Sequence, residues 1–184
     1  MNSLFDILNY IKTKSNQNWL SNSQKMALKK IINYLEIHRS VNLFGPIGSG
    51  KTFLMWVFSK MYPDWKYLPI PPRESEFQDF SGVNLILDNF SSDPKEYRRA
   101  LYLATLYNIK KLIFVTNSEI DDAIPKVELC LKEYDIKKIL NNLCVIGIDN
   151  NVVKKTTVKE DTSTKYSLPT NLWKLINPIL VEKY

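Results

Sequence analysis

Histidine and cysteine are scarce in this chain, whose 184 residues include one His and two Cys. The single histidine, His38, excludes a His-rich metal site, and Cys130 and Cys144 cannot form a four-ligand zinc site by themselves. Two cysteines at this spacing can in principle be bridged. Because no secretory signal is recognised, we expect them instead to be reduced, buried thiols.

Long hydrophobic runs are also missing. The N-terminal segment MNSLFDILNYIKTK lacks a basic start followed by an unbroken apolar core, and no later stretch approaches the length needed to cross a bilayer. We therefore expect a soluble, cytoplasmic protein that has no membrane partner.

The composition is typical of a packed globule. Hydrophobic residues make up 45% and charged residues 24%, which excludes a disordered or fibrous chain. The length predicts one domain of ordinary size, or one with a short appendage. The net charge of +6 is compatible with a polyanionic partner but too modest to establish one.

Apolar runs alternate with segments of helical spacing along the chain. We predict strands at 41–44, 66–70, 83–88, 111–116 and 143–148. We predict helices over 3–12, 23–38, 52–62, 93–108 and 124–140. This alternation predicts an α/β fold with a mostly parallel sheet.

Two of these helices have a predicted apolar face. In the second helix, which Ser23 is expected to cap, the face comprises Met26, Ala27, Ile31 and Leu35. In the fourth, which begins with Asp93 as N-cap and Pro94 at the first position, it comprises Tyr97, Leu101, Ala104 and Leu106.

A complete phosphate-binding motif lies between the first predicted strand and the helix that follows. Residues 45–52 read GPIGSGKT, which satisfies G-x-x-x-x-G-K-[ST]. Such glycines let the backbone wrap a phosphate chain, so that N–H groups and the positive end of the next helix face the anion. The predicted nucleotide-binding residues are Gly45, Pro46, Ile47, Gly48, Ser49, Gly50, Lys51 and Thr52.

Two residues of this motif have further predicted roles. Lys51 carries a mobile charge to the β and γ phosphates, and Thr52 supplies a hydroxyl ligand for Mg²⁺. A magnesium site of this type also needs an acid at the end of a neighbouring strand, and Asp88 closes the strand VNLILD. Asp88 is therefore the second predicted metal residue, although an Asp after a strand is also a common turn residue.

Two asparagines complete the predicted catalytic set with Lys51 and Asp88. Asn89 stands directly after Asp88, and its amide can orient a water molecule but is not a base, so hydrolysis is expected to be slow. Asn117 follows the strand KLIFVT, and in a parallel sheet it would reach the γ phosphate or the water from the side. A strand-ending Asn in a turn is the simpler alternative for Asn117.

With GPIGSGKT, LILDNF and IFVTNS in this order, the sequence resembles the AAA+ class of P-loop ATPases over roughly residues 23–148. Asn117 falls on the sensor position of that class. The interval of 37 positions from Lys51 to Asp88 and the WKYLPIPP stretch are most similar to the superfamily 3 helicases of small viral and plasmid replication proteins. Helicase loaders and transposition helper ATPases share the motifs but have a longer interval.

The resemblance implies a three-layer P-loop NTPase with a five-stranded sheet flanked by helices. It implies Mg²⁺-dependent ATP hydrolysis in DNA replication, recombination or packaging, in a virus or mobile element. It also implies a homo-oligomeric ring or filament with ATP between subunits, and DNA as a partner.

The sequence departs from that class in three ways. Only one helix is predicted between Asp88 and Asn117, where superfamily 3 helicases insert a basic DNA-gripping hairpin. Lys137 and Lys138 stand where the class usually has an Arg that reaches the neighbouring subunit's ATP, and Lys lacks the planar fork of Arg. Arg98 and Arg99 are possible substitutes, the simpler alternative being an exposed helix face. We also expect no full lid domain, because roughly 35 residues remain after the predicted core at 23–149.

The predicted organisation is an N-terminal helix and linker at 1–22, an ATPase core at 23–149, and a basic hairpin with a C-terminal helix at 150–184. Of the lysine-rich segments, the last is the best candidate for DNA contact, because its lysines lie near Tyr166 and Trp173, which could stack on bases. The lysines concerned are Lys154, Lys155 and Lys159.

Two alternative functions remain open. The phosphate loop alone also fits a small-molecule kinase for a nucleoside or nucleotide, although such kinases generally need arginines in a lid. The second alternative is an ATP-gated binding module with little hydrolysis, which Asn89 and the missing arginine favour.

Overall fold

The computed structural model describes residues 4–145. The helices are α1 Leu4–Lys14, α2 Asn22–Ile37, α3 Lys51–Met61, α4 Pro94–Leu106 and α5 Glu133–Val145. The strands are β1 Ser40–Phe44, β2 Trp65–Leu68, β3 Asn84–Leu87, β4 Lys111–Thr116 and β5 Lys126–Glu128, and two 3₁₀ segments cover Gln17–Trp19 and Glu74–Phe80. Within these residues, no helix has the length and apolarity that a membrane span requires.

The five strands form one sheet in the order β2-β3-β4-β1-β5, and every neighbouring pair is parallel. Parallel sheets are usually covered on both faces, and this one is. Ile113 and Val115 of β4 pack on the side of α2 and α3, whereas Leu112 and Phe114 pack on the side of α4 and the second 3₁₀ segment. The predicted α/β fold, a five-stranded parallel sheet flanked by helices, is confirmed.

The fifth strand differs from the prediction. Residues 126–128 pair with β1, so the predicted helix over 124–140 is wrong in its first half, and α5 begins only at Glu133. Buried Val127, Leu129 and Leu131 alternate with more exposed neighbours, which is the period of a strand. The strand predicted at 143–148 is wrong where it can be compared, because 143–145 are helical. Residues 146–148 and the predicted 150–184 segment lie outside the described residues.

Two predicted helix faces need smaller corrections. Met26 and Leu106 are 62% and 57% exposed, because the buried stripes contain Leu28 and Leu103 instead. The cap of α2 is Ser21 rather than Ser23. The cap and first position predicted for α4, Asp93 and Pro94, are confirmed. Cys130 is half-buried rather than buried.

A buried carboxylate joins the beginnings of two helices. Asp135 is fully buried, and its two oxygens accept hydrogen bonds from the backbone N–H groups of Ser23 (3.0 Å) and Lys132 (2.8 Å). Burial opposes ionisation, but the hydrogen bonds from Ser23 and Lys132 outweigh it and hold the pKa of Asp135 below its ordinary value. Because helix N-termini favour anions, Asp135 stabilises α2 and α5 together.

We therefore expect Asp135→Asn to lower the free energy of unfolding at pH 7 by about 1–3 kcal/mol, since charge-assisted hydrogen bonds are weakened. A depressed folded-state pKa contributes stability above the unfolded value of about 4, and this is lost as pH falls through the folded pKa. Urea unfolding at pH 7 and at about pH 3 should show the difference from wild type shrinking in acid. An equal difference at both pH values would contradict a role for the ionised carboxylate.

Candidate phosphate-binding site

The three sequence motifs lie at one edge of the sheet. Phe44 at the end of β1 is paired with Thr116 at the end of β4, and Leu87 at the end of β3 is paired with Phe114 of β4. The glycine-rich loop, Asp88 and Asn117 each follow directly on one of these adjacent parallel strands. The structure therefore brings them to the same carboxyl edge, where open α/β sheets place their ligands.

The loop between β1 and α3 has glycine where larger residues do not fit. A Cβ on Gly45 would lie 2.3 Å from the carbonyl oxygen of Leu129, and one on Gly50, where φ is +83°, would lie 2.6 Å from the side-chain nitrogen of Gln24. The hydroxyl of Ser49 is buried in this loop without a hydrogen-bond partner among the described residues. An unpaired buried hydroxyl beside exposed loop backbone fits a loop built to hold an anion.

Lys51 is folded back onto the loop that precedes it. Its Nζ donates hydrogen bonds to the carbonyl oxygens of Gly45 (2.7 Å) and Pro46 (3.0 Å). Burial lowers the pKa of Lys51 below its ordinary value, and the nearby Asp88 and Cys130 partly oppose this. Two carbonyl oxygens thus hold the ammonium group inside the loop. A bound phosphate oxygen would compete with these carbonyls for its hydrogen bonds.

Thr52 and Asp88 are in direct contact. The Thr52 hydroxyl donates to Oδ2 of Asp88 at 2.8 Å, and Asp88 is 2% exposed. Oδ2 also accepts from the Tyr67 hydroxyl at 2.6 Å, and Oδ1 accepts from the backbone N–H of Asn89 at 2.9 Å. Hydroxyl and carboxylate oxygens are ligands that suit Mg²⁺. Residues 4–145 contain no cluster of three or more His, Cys, Asp or Glu suited to a metal ion, so phosphate and water oxygens would complete any such shell.

Asn89 is exposed beside Asp88 and has a positive φ of +54°, which Asn tolerates better than most residues. Its side-chain amide donates to the carbonyl oxygen of Pro69 at 3.0 Å. The side chain is thus turned towards the segment after β2, and it offers an amide where an acid would serve as a base.

Asn117 is exposed at the end of β4, and a buried asparagine fixes the turn that carries it. Asn42 of β1 is fully buried. It donates to Thr116 Oγ1 (2.8 Å) and to the Phe114 carbonyl (3.2 Å), and it accepts from the Ile120 N–H (3.0 Å). Sequence reasoning missed Asn42, although a polar residue inside the apolar run VNLF was a visible signal.

Gln24 of α2 is a second residue that sequence reasoning missed. Its side chain is 1% exposed, accepts from the Ser21 N–H at 3.0 Å and donates to the Gly50 carbonyl at 3.3 Å. The beginning of α2 is therefore hydrogen-bonded to the phosphate loop. Ser21 followed three residues later by Gln24 is a capping-box pattern, but the sequence contained no signal for its contact with Gly50.

Three of the four basic residues considered as trans-acting groups form ion pairs on the surface. Arg98 forms an ion pair with Asp122 (2.7 Å), and Arg99 with Glu74, the arginine side chains being 67% exposed in each case. Lys137 pairs with Glu133 at 3.1 Å. Arg98 and Arg99 thus belong to an exposed face of α4.

No protein-family model and no curated protein matches this chain. Among solved structures, it is similar to AMPPCP-bound DnaA from Aquifex aeolicus, with 15% identity, a TM-score of 0.48, and coverage of 89% of this chain and 62% of that one. It is also similar to Thermotoga maritima RuvB T158V, with 15% identity, a TM-score of 0.46, and coverage of 72% and 55%. A DNA replication initiation factor gives 15% identity, a TM-score of 0.46, and coverage of 86% and 59%. The chain spans less than two thirds of each of these structures.

The Asn42 contacts predict a large effect of Asn42→Leu. The substitution leaves the buried Ile120 N–H without its acceptor and removes the donor to Thr116 Oγ1, which still donates to the Ser118 carbonyl, so we expect a loss of about 2–3 kcal/mol in the free energy of unfolding. Urea denaturation measures this loss. Asn33→Leu on the exposed side of α2 is the control and should change stability by less than about 0.5 kcal/mol. Equal effects of the two substitutions would contradict a stabilising role for the Asn42 hydrogen bonds.

Proposed function

We propose that this protein is a compact AAA+-like ATPase that binds Mg·ATP through residues 45–52, Asp88 and Asn117, and hydrolyses it slowly. The contact between Thr52 and Asp88 carries the proposal. It places a hydroxyl and a carboxylate oxygen 2.8 Å apart, at the first turn of the helix that follows a glycine-rich loop. Phosphate loops use this pair of groups to hold Mg²⁺ beside a nucleotide.

The charges at the loop support binding of a phosphate chain. The N-terminus of α3 begins at Lys51, so the positive end of the helix dipole and one ammonium group are directed to the same loop. The buried Ser49 hydroxyl would gain an acceptor from a bound phosphate. Bound Mg²⁺ would neutralise charge that develops on the phosphates, and Thr52 and Asp88 are the residues that would hold it.

The environment of Asn89 supports slow turnover. An attacking water needs a group that orients it and accepts its proton, and Asn89 and Asn117 supply amides at this edge. Neither amide is a base. The same observation favours a second candidate function, an ATP-gated binding module in which nucleotide binding rather than hydrolysis is the useful event.

A small-molecule kinase receives less support from the described residues. Arg98 and Arg99 are in surface ion pairs, and Arg39 donates to backbone carbonyls that include Ala104 and Lys110. In the structure these three guanidinium groups contact other protein groups and are not arranged as a clamp for a second phosphorylated substrate.

Oligomerisation and action on DNA are also part of the proposal. They rest on the motif order and on the class resemblance, together with the net charge of +6. We propose replication, recombination or packaging of DNA as the setting, with a ring or filament of identical subunits as the active form.

The decisive experiment is ATP turnover by purified protein with and without single- and double-stranded DNA. We expect Lys51→Ala to lower the rate about 100-fold, because it removes a charge that stabilises the transferring phosphoryl group. Lys29→Ala, on the exposed side of α2, is the matched control and should keep the wild-type rate. Thermal melting establishes that both variants fold. Phosphate transfer to a nucleoside or nucleotide would overturn the ATPase assignment, and binding without turnover would leave the gated module.

A second experiment tests Asn89. We expect Asn89→Glu to raise turnover about tenfold or more, because a carboxylate adds the missing general base. Asn89→Gln is the control for Asn89→Glu, because Gln matches Glu in side-chain length and in backbone strain at positive φ but carries no charge. An equal change in both variants, or none in either, would show that Asn89 does not limit hydrolysis.

A further inference from the structure

Tyr67 of β2 contacts the carboxylate that the phosphate site depends on. Its hydroxyl donates to Oδ2 of Asp88 at 2.6 Å. Tyr67 lies on the neighbouring strand, 21 residues before Asp88 in sequence, and its ring packs half-buried against the apolar core beneath α3. The proposed activity assigns no role to this side chain.

The Asp88 carboxylate needs its donors in order to keep one orientation. Rotation about the terminal bond of an aspartate side chain is broad, so contacts rather than a rotamer well decide where its oxygens point. Three donors hold Asp88, namely the hydroxyls of Thr52 and Tyr67 and the N–H of Asn89. Thr52 is itself a proposed metal ligand. The Tyr67 hydroxyl is therefore a side-chain donor to the carboxylate that is not itself a proposed metal ligand.

The end of β2 is fixed to the end of β3 by further contacts. The Asp88 N–H donates to the Leu68 carbonyl at 3.0 Å, and the Asn89 side chain donates to the Pro69 carbonyl at 3.0 Å. Tyr67, Leu68 and Pro69 thus form a continuous support for residues 88 and 89. The position of the Tyr67 hydroxyl is set by this support rather than by a mobile loop.

We propose that Tyr67 is a positioning residue for magnesium, which orients the Asp88 carboxylate towards the ion that Thr52 and Asp88 hold beside the nucleotide. The inference rests on the proposed function. It gives β2, the strand that follows α3, a role in positioning a proposed magnesium ligand. Outer groups that orient metal-binding carboxylates typically change metal affinity 10- to 100-fold when removed.

The test is equilibrium binding of a fluorescent ADP, titrated with Mg²⁺ and also measured without it. Mg²⁺ is expected to increase the affinity for ADP, and we expect Tyr67→Phe to raise the Mg²⁺ concentration that gives half of this increase about tenfold. The affinity for ADP without Mg²⁺ should stay within about twofold of wild type. Phe keeps the ring and its packing. Tyr62→Phe is the matched control, because this half-buried tyrosine stacks on Phe58 (4.7 Å between ring centroids), and it should behave as wild type.

A second measurement tests the hydrogen bond without any ligand. With ¹³C-labelled tyrosine, the Cζ resonance that Tyr67→Phe removes should shift in Asp88→Asn, whereas the Tyr62 resonance should not. The inference is overturned if the Tyr67 resonance does not shift in Asp88→Asn. It is also overturned if wild type binds Mg·ADP and Tyr67→Phe needs no more Mg²⁺ than wild type. Either result leaves the proposed function standing. Failure of wild type to bind the nucleotide at all defeats the proposed function, and this inference with it.

Discussion

Parallel pairing of β3, β4 and β1 is the constraint on which the candidate site depends. Parallel strands present their carboxyl ends at one edge, so the residues that follow Phe44, Leu87 and Thr116 share that edge whatever the lengths of the helical connections. Each connection passes over a face of the sheet and so buries it. The same pairing that assembles the site therefore forms the two apolar layers that stabilise the fold.

The buried polar side chains near this edge are hydrogen-bonded to other protein groups. Asn42 is fully buried and Asp88 nearly so, and each has partners from elements distant in sequence. A buried polar side chain is costly unless it is paired, so such residues specify one arrangement of the strand ends. Gln24 makes a separate buried connection between the beginning of α2 and the phosphate loop.

Residues whose placement in the fold follows from local sequence signals were predictable from the sequence. The loop glycines, Lys51 and Thr52 are a motif with a fixed spacing, Asp88 ends a buried apolar strand, and Asp93 followed by Pro94 marks the start of α4 through capping geometry. Tyr67, Asn42 and Gln24 were not found, because their partners lie 21 to 78 residues away and only the sheet order brings them together. The fifth strand was missed for the same reason. A three-residue strand has too short a pattern, and its pairing with β1 decides its conformation.

That missed strand determines what the phosphate loop can contain. The Leu129 N–H, directly after β5, donates to the Phe44 carbonyl at 2.8 Å, and the Leu129 carbonyl occupies the space that a Cβ on residue 45 would need. The glycine that opens the motif is thus required by the neighbouring backbone as well as by the phosphate chain it is proposed to wrap. Leu129 and Leu131 are buried, and α5 then begins at Glu133, with Asp135 bound to the start of α2. Residues 126–135 therefore link the backbone beside Gly45 to helix α2, and Gln24 of α2 donates to the Gly50 carbonyl. The phosphate loop is thus contacted near both of its ends.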